Sequence, residues 1–244
     1  MNEKVYSLVE EYMLVCMEDS AHDKEHIYRV LYNALEIARS MSEKAQEKET
    51  KDEGAQTSSV LDYDVLIAAC LLHDIGRSEQ YENPKLCHAM VGGEKAYRFL
   101  TEHGFEETYA EKVKQCIQTH RYRRGNPPQS IEAKILFDAD KLDASGVIGI
   151  ARTLMYKGIV GEPLYTVRHD GTVSDGSEDT KPSFFQEYKY KLENIYSNFY
   201  TEEGRKLAGK RQRGAAEFYE KLFSEINWSY EEGQAELLRV LEGK

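Results

Sequence analysis

Proline is scarce in this chain, five residues in 244, and its four cysteines include no C-x-x-C pair. So few prolines exclude an extended Pro-rich tail and a linker-rich, many-stranded architecture. Cys16, Cys70, Cys87 and Cys116 are widely spaced, and Cys70 lies inside an apolar run. They read as reduced, mostly structural thiols of a cytoplasmic protein. No stretch approaches 18 consecutive apolar residues, which excludes an apolar membrane-spanning helix. The opening MNEKVYSLVEEYM lacks the basic start and apolar centre of a secretion signal. A basic excess is missing as well: the formal net charge is −11. That balance opposes charge-driven attachment to nucleic-acid polymers or anionic membranes. It leaves room for a small phosphorylated ligand held by a local cluster of Arg, Lys or metal.

What is present is helical periodicity. Apolar side chains make up 41% of the chain, enough at this length to build a sizeable core. Val5, Leu8, Val9, Tyr12, Met13 and Cys16 form one stripe at helical spacing. Ile27, Val30, Leu31, Ala34, Leu35, Ile37 and Ala38 form a second, ending near Met41. The run from 42 to about 60 has almost no large apolar group and is expected to be an exposed loop or frayed helix extension. Asp62 is placed to cap a helix through LLHDIG, with Gly76 as its stop. Further helices are predicted at about 88–102, 106–120, 130–142, 144–157, 183–200, 202–225 and 229–242. Residues 158–182 break the pattern, with one short extended pair near Leu164–Val167 and Thr172–Val173. The simplest fold is one all-α domain: a core over about 20–160, with helices of about 183–242 packed onto the same body.

Seven histidines are present, and His-Asp occurs three times, so the dipeptide alone says little. Context separates the three copies. His73 and Asp74 end the apolar run AACLLHDIG, where a lone carboxylate would be costly to bury. A second apolar stretch, ILFDADKLDASG, crowds Asp138, Asp140 and Asp143 into six residues. Such carboxylates repel one another unless a cation or basic partner sits among them. His26 lies within the second apolar stripe, four residues after His22. Three helices thus bring inward His or Asp, and a common divalent cation explains all of them at once. Two imidazoles and two carboxylates suit Mn, Fe, Co, Ni or Zn, with Mg also admitted. Adjacent His and Asp diverge by about 100° on a helix, so both reach one ion only near a helix end.

The pattern His26 … His73–Asp74 … Asp140 resembles the H…HD…D signature of the HD-domain metal-dependent phosphohydrolase superfamily. The wording AHDKEHIYRV, ACLLHDIG and DADKLDASGVIGIAR is similar to small stand-alone bacterial HD hydrolases, including nucleotide pyrophosphatases. The likeness covers roughly residues 20 to 212. It implies an all-helical bundle around one metal held by His26, His73, Asp74 and Asp140. It also implies catalytic roles for Asp74, His88, His120 and Asp143. His88 and His120 would face the pocket to bind phosphate, take a second metal or protonate a leaving group; Asp143 would support the site from behind. Asp23 is placed to orient a water. Arg77 and Arg121, with Arg123 and Arg124, are candidates to balance substrate phosphate. Segments similar to Ser183, Lys191–Leu192 and Arg205–Ala208 add Lys191, Arg205 and Arg211 as substrate-binding candidates. Glu187 departs from the His that relatives carry. Lys206, Lys210 and Arg213 read as a solvated face, and His103 and His169 as ordinary helix-end and turn histidines.

These residues point first to a phosphohydrolase acting on a small phosphorylated substrate, a nucleotide, at a phosphomonoester or pyrophosphate bond. A second reading takes His22-Asp-Lys-Glu-His26 as a zinc-metallopeptidase-like helix with Asp23 as base. A third is a non-catalytic regulatory module that binds nucleotide or metal. A homodimer is the candidate assembly.

Overall fold

The computed structural model describes residues 1–17, 24–49, 61–121 and 125–243. Among them every regular element is a helix, apart from one isolated antiparallel bridge between Val167 and Val173. The predicted all-α class holds, and the bridge falls within the predicted extended pair. No described helix is long and apolar enough to cross a membrane. All four cysteines are free. The chain divides into two compact units, Met1–Asp143 with Phe199–Gly204, and Ala144–Asn198 with Arg205–Lys244.

The first unit contains α1 (Glu3–Met17), α2 (Lys24–Glu49), α3 (Tyr63–Leu72), α4 (Arg77–Glu82), α5 (His88–Glu102), α6 (Glu107–Thr119) and α7 (Ile131–Asp143). Helix α3 is apolar all round, which requires neighbours on every side. Helices α1, α2, α5, α6 and α7 supply them. Val65, Leu66, Ala68, Ala69, Cys70, Leu71 and Leu72 are all buried. Truncating Leu71 or Leu72 to Ala would cost about 2–5 kcal/mol. Asp62 caps the helix as predicted, its side chain accepting from the Val65 N–H at 3.2 Å.

One sequence expectation is narrowed in this unit and another changes. Helix α2 runs to Glu49, so of the two alternatives for residues 42–49 the helix extension holds; residues 50–60 lie outside the described part. SEKAQEKE is rich in strong helix formers, which need no buried stripe to continue a helix already nucleated. Lys44 also pairs with Glu202 and Glu203. Helix α3 stops at Leu72, and His73–Gly76 form a turn into α4. The turn sits tight on α5: a Cβ at Gly76 would lie 2.3 Å from the His88 carbonyl oxygen and 2.6 Å from the Gly92 nitrogen. Glycine is required here by close approach. Lys95 donates to the Ile75 carbonyl at 2.9 Å and so ties the turn to α5 from its far side.

The second unit holds α8 (Gly146–Val160), α9 (Phe184–Glu187) and all but the first three residues of α10 (Glu202–Leu241). Its core is aromatic: Phe184, Phe185, Tyr188 and Tyr219 pack with Ile150, Val173, Leu192 and Ala215. Tyr188 and Tyr219 stack with ring centroids 4.0 Å apart. The predicted helix over 183–200 is broken into α9, a π turn at Tyr188–Leu192 and a 3₁₀ turn at Ile195–Ser197. The two helices predicted over 202–242 are one, because no Pro or Gly interrupts residues 215–232.

Candidate metal centre

The first unit gathers four imidazoles and two carboxylates, with Asp74 at their centre. Helix α2 contributes His26, the turn after α3 His73 and Asp74, the start of α5 His88, the end of α6 His120, and α7 Asp140. They fall into two nests. His26, His73 and Asp140 present ligand-type atoms within 4.8 Å of one another, and so do Asp74, His88 and His120. His26 Nε2 lies 3.3 Å from His73 Nε2 and 3.3 Å from Asp140 Oδ1. His88 Nε2 lies 3.3 Å from His120 Nε2.

Asp74 stands between the two. Its Oδ2 is 3.7 Å from Nε2 of both His26 and His73, and its Oδ1 is 3.3 Å from His88 Nε2 and 3.7 Å from His120 Nε2. Neither oxygen accepts a hydrogen bond, although the side chain is only 1% exposed. Arg77 Nε is 2.9 Å from Oδ1 but off the line of a hydrogen bond, so this contact is electrostatic.

The other edge of every ring is held by an acceptor. His73 Nδ1 faces the Cys70 carbonyl at 2.7 Å, and His120 Nδ1 faces the Ile117 carbonyl at 2.6 Å. His26 Nδ1 meets Asp143 Oδ2 at 2.8 Å, and His88 Nδ1 meets Gln80 Oε1 at 2.6 Å. The Gln80 amide is oriented by its own donation to the Leu86 carbonyl at 2.9 Å. In a neutral ring an acceptor opposite Nδ1 holds the only ring proton there and leaves Nε2 a lone pair. The His88 and His120 lone pairs, 3.3 Å apart, cannot satisfy each other, and neither oxygen of the Asp74 carboxylate beside them accepts a hydrogen bond. A cation resolves all these conflicts, so the donor set fits a divalent metal.

Charge follows the same pattern. Burial pushes His88 down to about 2 and His120 to about 4, and lowers His73. Burial would lower His26 too, but hydrogen bonds to Asp140 and Asp143 and the charges of Asp140 and Asp74 push it up to about 9. Burial would raise Asp74, yet the surrounding imidazoles and Arg77 hold it well below the carboxylate range. Asp140 is also lowered: burial is outweighed by its hydrogen bond to His26 and the nearby imidazole charges.

The three crowded aspartates have separate fates. Asp140 faces His26. Asp138 points away, accepting from the Tyr200 N–H at 2.8 Å, the Thr201 N–H at 2.7 Å and the Thr201 hydroxyl at 2.6 Å, and it caps the start of α10. Asp143 stands behind His26 and is held by Arg29, so it orients a ring rather than facing the nests.

The predicted phosphate-facing residues divide. Arg77 adjoins Asp74, while Arg121 lies 3.8 Å from the Cys87 sulfur. Lys191, Arg205 and Arg211 belong to the second unit. There Lys191 is paired with Glu187 at 2.9 Å, Glu187 also meets Lys157 at 2.8 Å, and the Arg211 stem packs on Gly146. His22, Asp23, Arg123 and Arg124 lie outside the described residues. His103 caps α5 with Nδ1 on the Phe99 carbonyl at 2.7 Å, and the exposed His169 lies in a turn. Arg29 and Gln80 went unread in the sequence. Arg29 is three residues after His26, on the same helix face, a spacing that could have flagged it; Gln80 had no such signal. A cavity of about 540 Å³ lined by Leu8, Tyr12, Val15, Lys95, Phe99 and His103 contains no residue of either nest.

A sequence model of the HD domain matches residues 24–145, which spans every residue of both nests. An uncharacterized Bacillus subtilis protein, YpgQ, is 28% identical over 213 residues, 86% of each chain. Its crystal structure in complex with ADP superposes with a TM-score of 0.64 at 25% identity, covering 91% of this chain and 97% of that one. An HD-superfamily hydrolase from Bacillus thuringiensis gives a TM-score of 0.65 at 25% identity, covering 92% and 98%. A predicted HD superfamily hydrolase from an uncultured Thermotogales bacterium gives 0.55 at 28% identity, covering 91% of each.

Proposed function

The chain belongs to the HD domain family, and from that premise we propose that it is a divalent-metal-dependent phosphohydrolase of a small phosphorylated substrate, a nucleotide. The observation that carries this reading is the orphaned Asp74: two buried oxygens without a hydrogen bond, each facing a pair of imidazole Nε2 atoms. His26, His73, Asp74 and Asp140 would hold the cation. When bound, it would lower the pKa of a water and polarise a phosphoryl oxygen. Asp140, with its side chain 28% exposed, is the ligand on the solvent side. Arg77, 25% exposed beside Asp74, is placed to balance phosphate charge as it develops. The complex of YpgQ with ADP supports a nucleotide as the ligand class.

The second nest supports a specific role for His88 and His120. A general acid must carry its proton at the atom that faces the substrate. Here the acceptors at Gln80 and Ile117 keep that proton on Nδ1, away from the nest. The pair therefore reads as ligands to a second divalent cation sharing Asp74. The metallopeptidase reading loses ground, because His26 turns towards His73 and Asp140 on other elements.

The test is incubation of the purified chain with a nucleotide panel and Mn²⁺, followed by phosphate and pyrophosphate detection. Product that disappears on chelation and in Asp74→Ala supports the enzyme. Nucleotide binding without product would leave the regulatory module, and turnover retained by Asp74→Ala would sink the metal mechanism.

A further inference from the structure

Behind the first nest lies a contact that the proposed chemistry leaves unused. Asp143 is 1% exposed and engaged through both oxygens. Arg29 Nε donates to Oδ1 at 2.7 Å and Arg29 Nη2 to Oδ2 at 3.2 Å, while His26 Nδ1 donates to the same Oδ2 at 2.8 Å. We propose that Arg29 is a positioning residue for metal capture: its guanidinium fork sets Asp143, and Asp143 sets the plane of the His26 ring. This inference rests on the metal reading above.

The geometry extends beyond one ring. Arg29 sits one turn after His26 on α2, and Asp143 one turn after Asp140 on α7. The Arg29–Asp143 pair therefore ties together the two helices that carry His26 and Asp140, which face each other at 3.3 Å. A planar fork gripping both oxygens fixes the rotation of the carboxylate as well as its position. A single ammonium holds position only, so lysine cannot reproduce it. If the fork is removed, Asp143 is free to turn, the Nδ1 contact is lost and His26 Nε2 no longer has a fixed aim at His73 and Asp140. Partners of this kind, which touch the ligand rather than the metal, are typically worth 10- to 100-fold in metal affinity.

The experiment titrates Co²⁺ into full-length wild type, Arg29→Gln and Arg29→Lys, reading affinity by calorimetry and coordination from the visible d–d bands. Metal-free thermal unfolding is recorded beside it. The Arg29 side chain is 31% exposed, so its replacement opens no sealed core position. The expected result is a 10- to 100-fold weaker Co²⁺ affinity and altered bands in Arg29→Gln, with Arg29→Lys intermediate. Wild-type affinity and bands in Arg29→Gln would overturn the proposal, even if that variant melts earlier, because the pair would then only brace the fold. Full recovery in Arg29→Lys would also overturn it, since charge alone would then suffice. Failure of wild type to bind Co²⁺ at all would remove the metal reading and this inference with it.

Discussion

The two nests around Asp74 are built from similar atoms yet differ in surroundings. The His26–His73 pair has a second carboxylate, Asp140, and an ionic support behind it in Asp143 and Arg29. The His88–His120 pair has Asp74 alone, with a competing cation, Arg77, 2.9 Å from the same oxygen. Its rings are supported from behind by neutral groups, the Gln80 amide and the Ile117 carbonyl. Exposure differs too: Asp140 reaches solvent, while the side chains of His88, His120 and Asp74 are at most 1% exposed. Charge and access thus favour the first nest for tight binding and exchange. The second, less anionic and enclosed, should fill later and exchange more slowly.

The largest expected effect comes from removing what the nests share. Asp74→Ala should empty both and lower turnover roughly a thousandfold or more, the several kcal/mol a Lewis-acid cation supplies. Metal content by elemental analysis and initial rates check this together. A smaller effect should separate the nests. His88→Ala is expected to reduce stoichiometry from two Mn²⁺ per chain to one while the tight site persists, whereas His26→Ala should remove the tight site. Calorimetric titration distinguishes these outcomes, and a single site in wild type would erase the comparison.

Acidity should act on the first nest alone. A metal must displace the proton that His26 holds up to about 9, so apparent affinity should weaken up to tenfold per pH unit below that value. The second nest, with rings already neutral at about 2 and about 4, should vary little between pH 6 and 9. The metal-free fold has the opposite dependence. The folded pKa of His26 is raised above its ordinary 6.5, so its contribution is full below about 6.5 and lost as pH rises through about 9. Melting temperatures of the chelated protein across that window should fall.

The smallest effect concerns an aspartate that belongs to neither nest. Asp138→Asn should leave metal affinity unchanged and cost about 2 kcal/mol through weakened capping of α10, a fall of several degrees in melting temperature. A change in metal affinity would place Asp138 in the centre after all.

Much of this was legible in the residues. The stripe on α2 contains His26, and the apolar run of α3, capped by Asp62 and buried on every side, delivers His73 and Asp74. The crowding of Asp138, Asp140 and Asp143 signalled a cation or basic partner but did not say which carboxylate met which. The structure assigns one to a histidine of the nest, one to a helix cap and one to Arg29, and that sorting depends on what other helices bring to each face of α7. For residues 42–49 the lack of apolar groups left loop and helix extension both open, and helix propensity carried α2 onward.

Composition and periodicity, being local, pointed by themselves to the all-helical class and to an apolar α3 leading into His73 and Asp74, whereas the full set of ligand candidates came from resemblance to the HD family. Only the tertiary structure decided that those residues form two nests sharing one carboxylate, and that Arg29 and Gln80 take part. Both results rest on side chains from different elements meeting within hydrogen-bond distance, from eight residues apart for Gln80 and His88 to 117 for His26 and Asp143. The close packing of the His73–Gly76 turn against α5 brings Asp74 beside His88, and no spacing in the sequence encodes that approach.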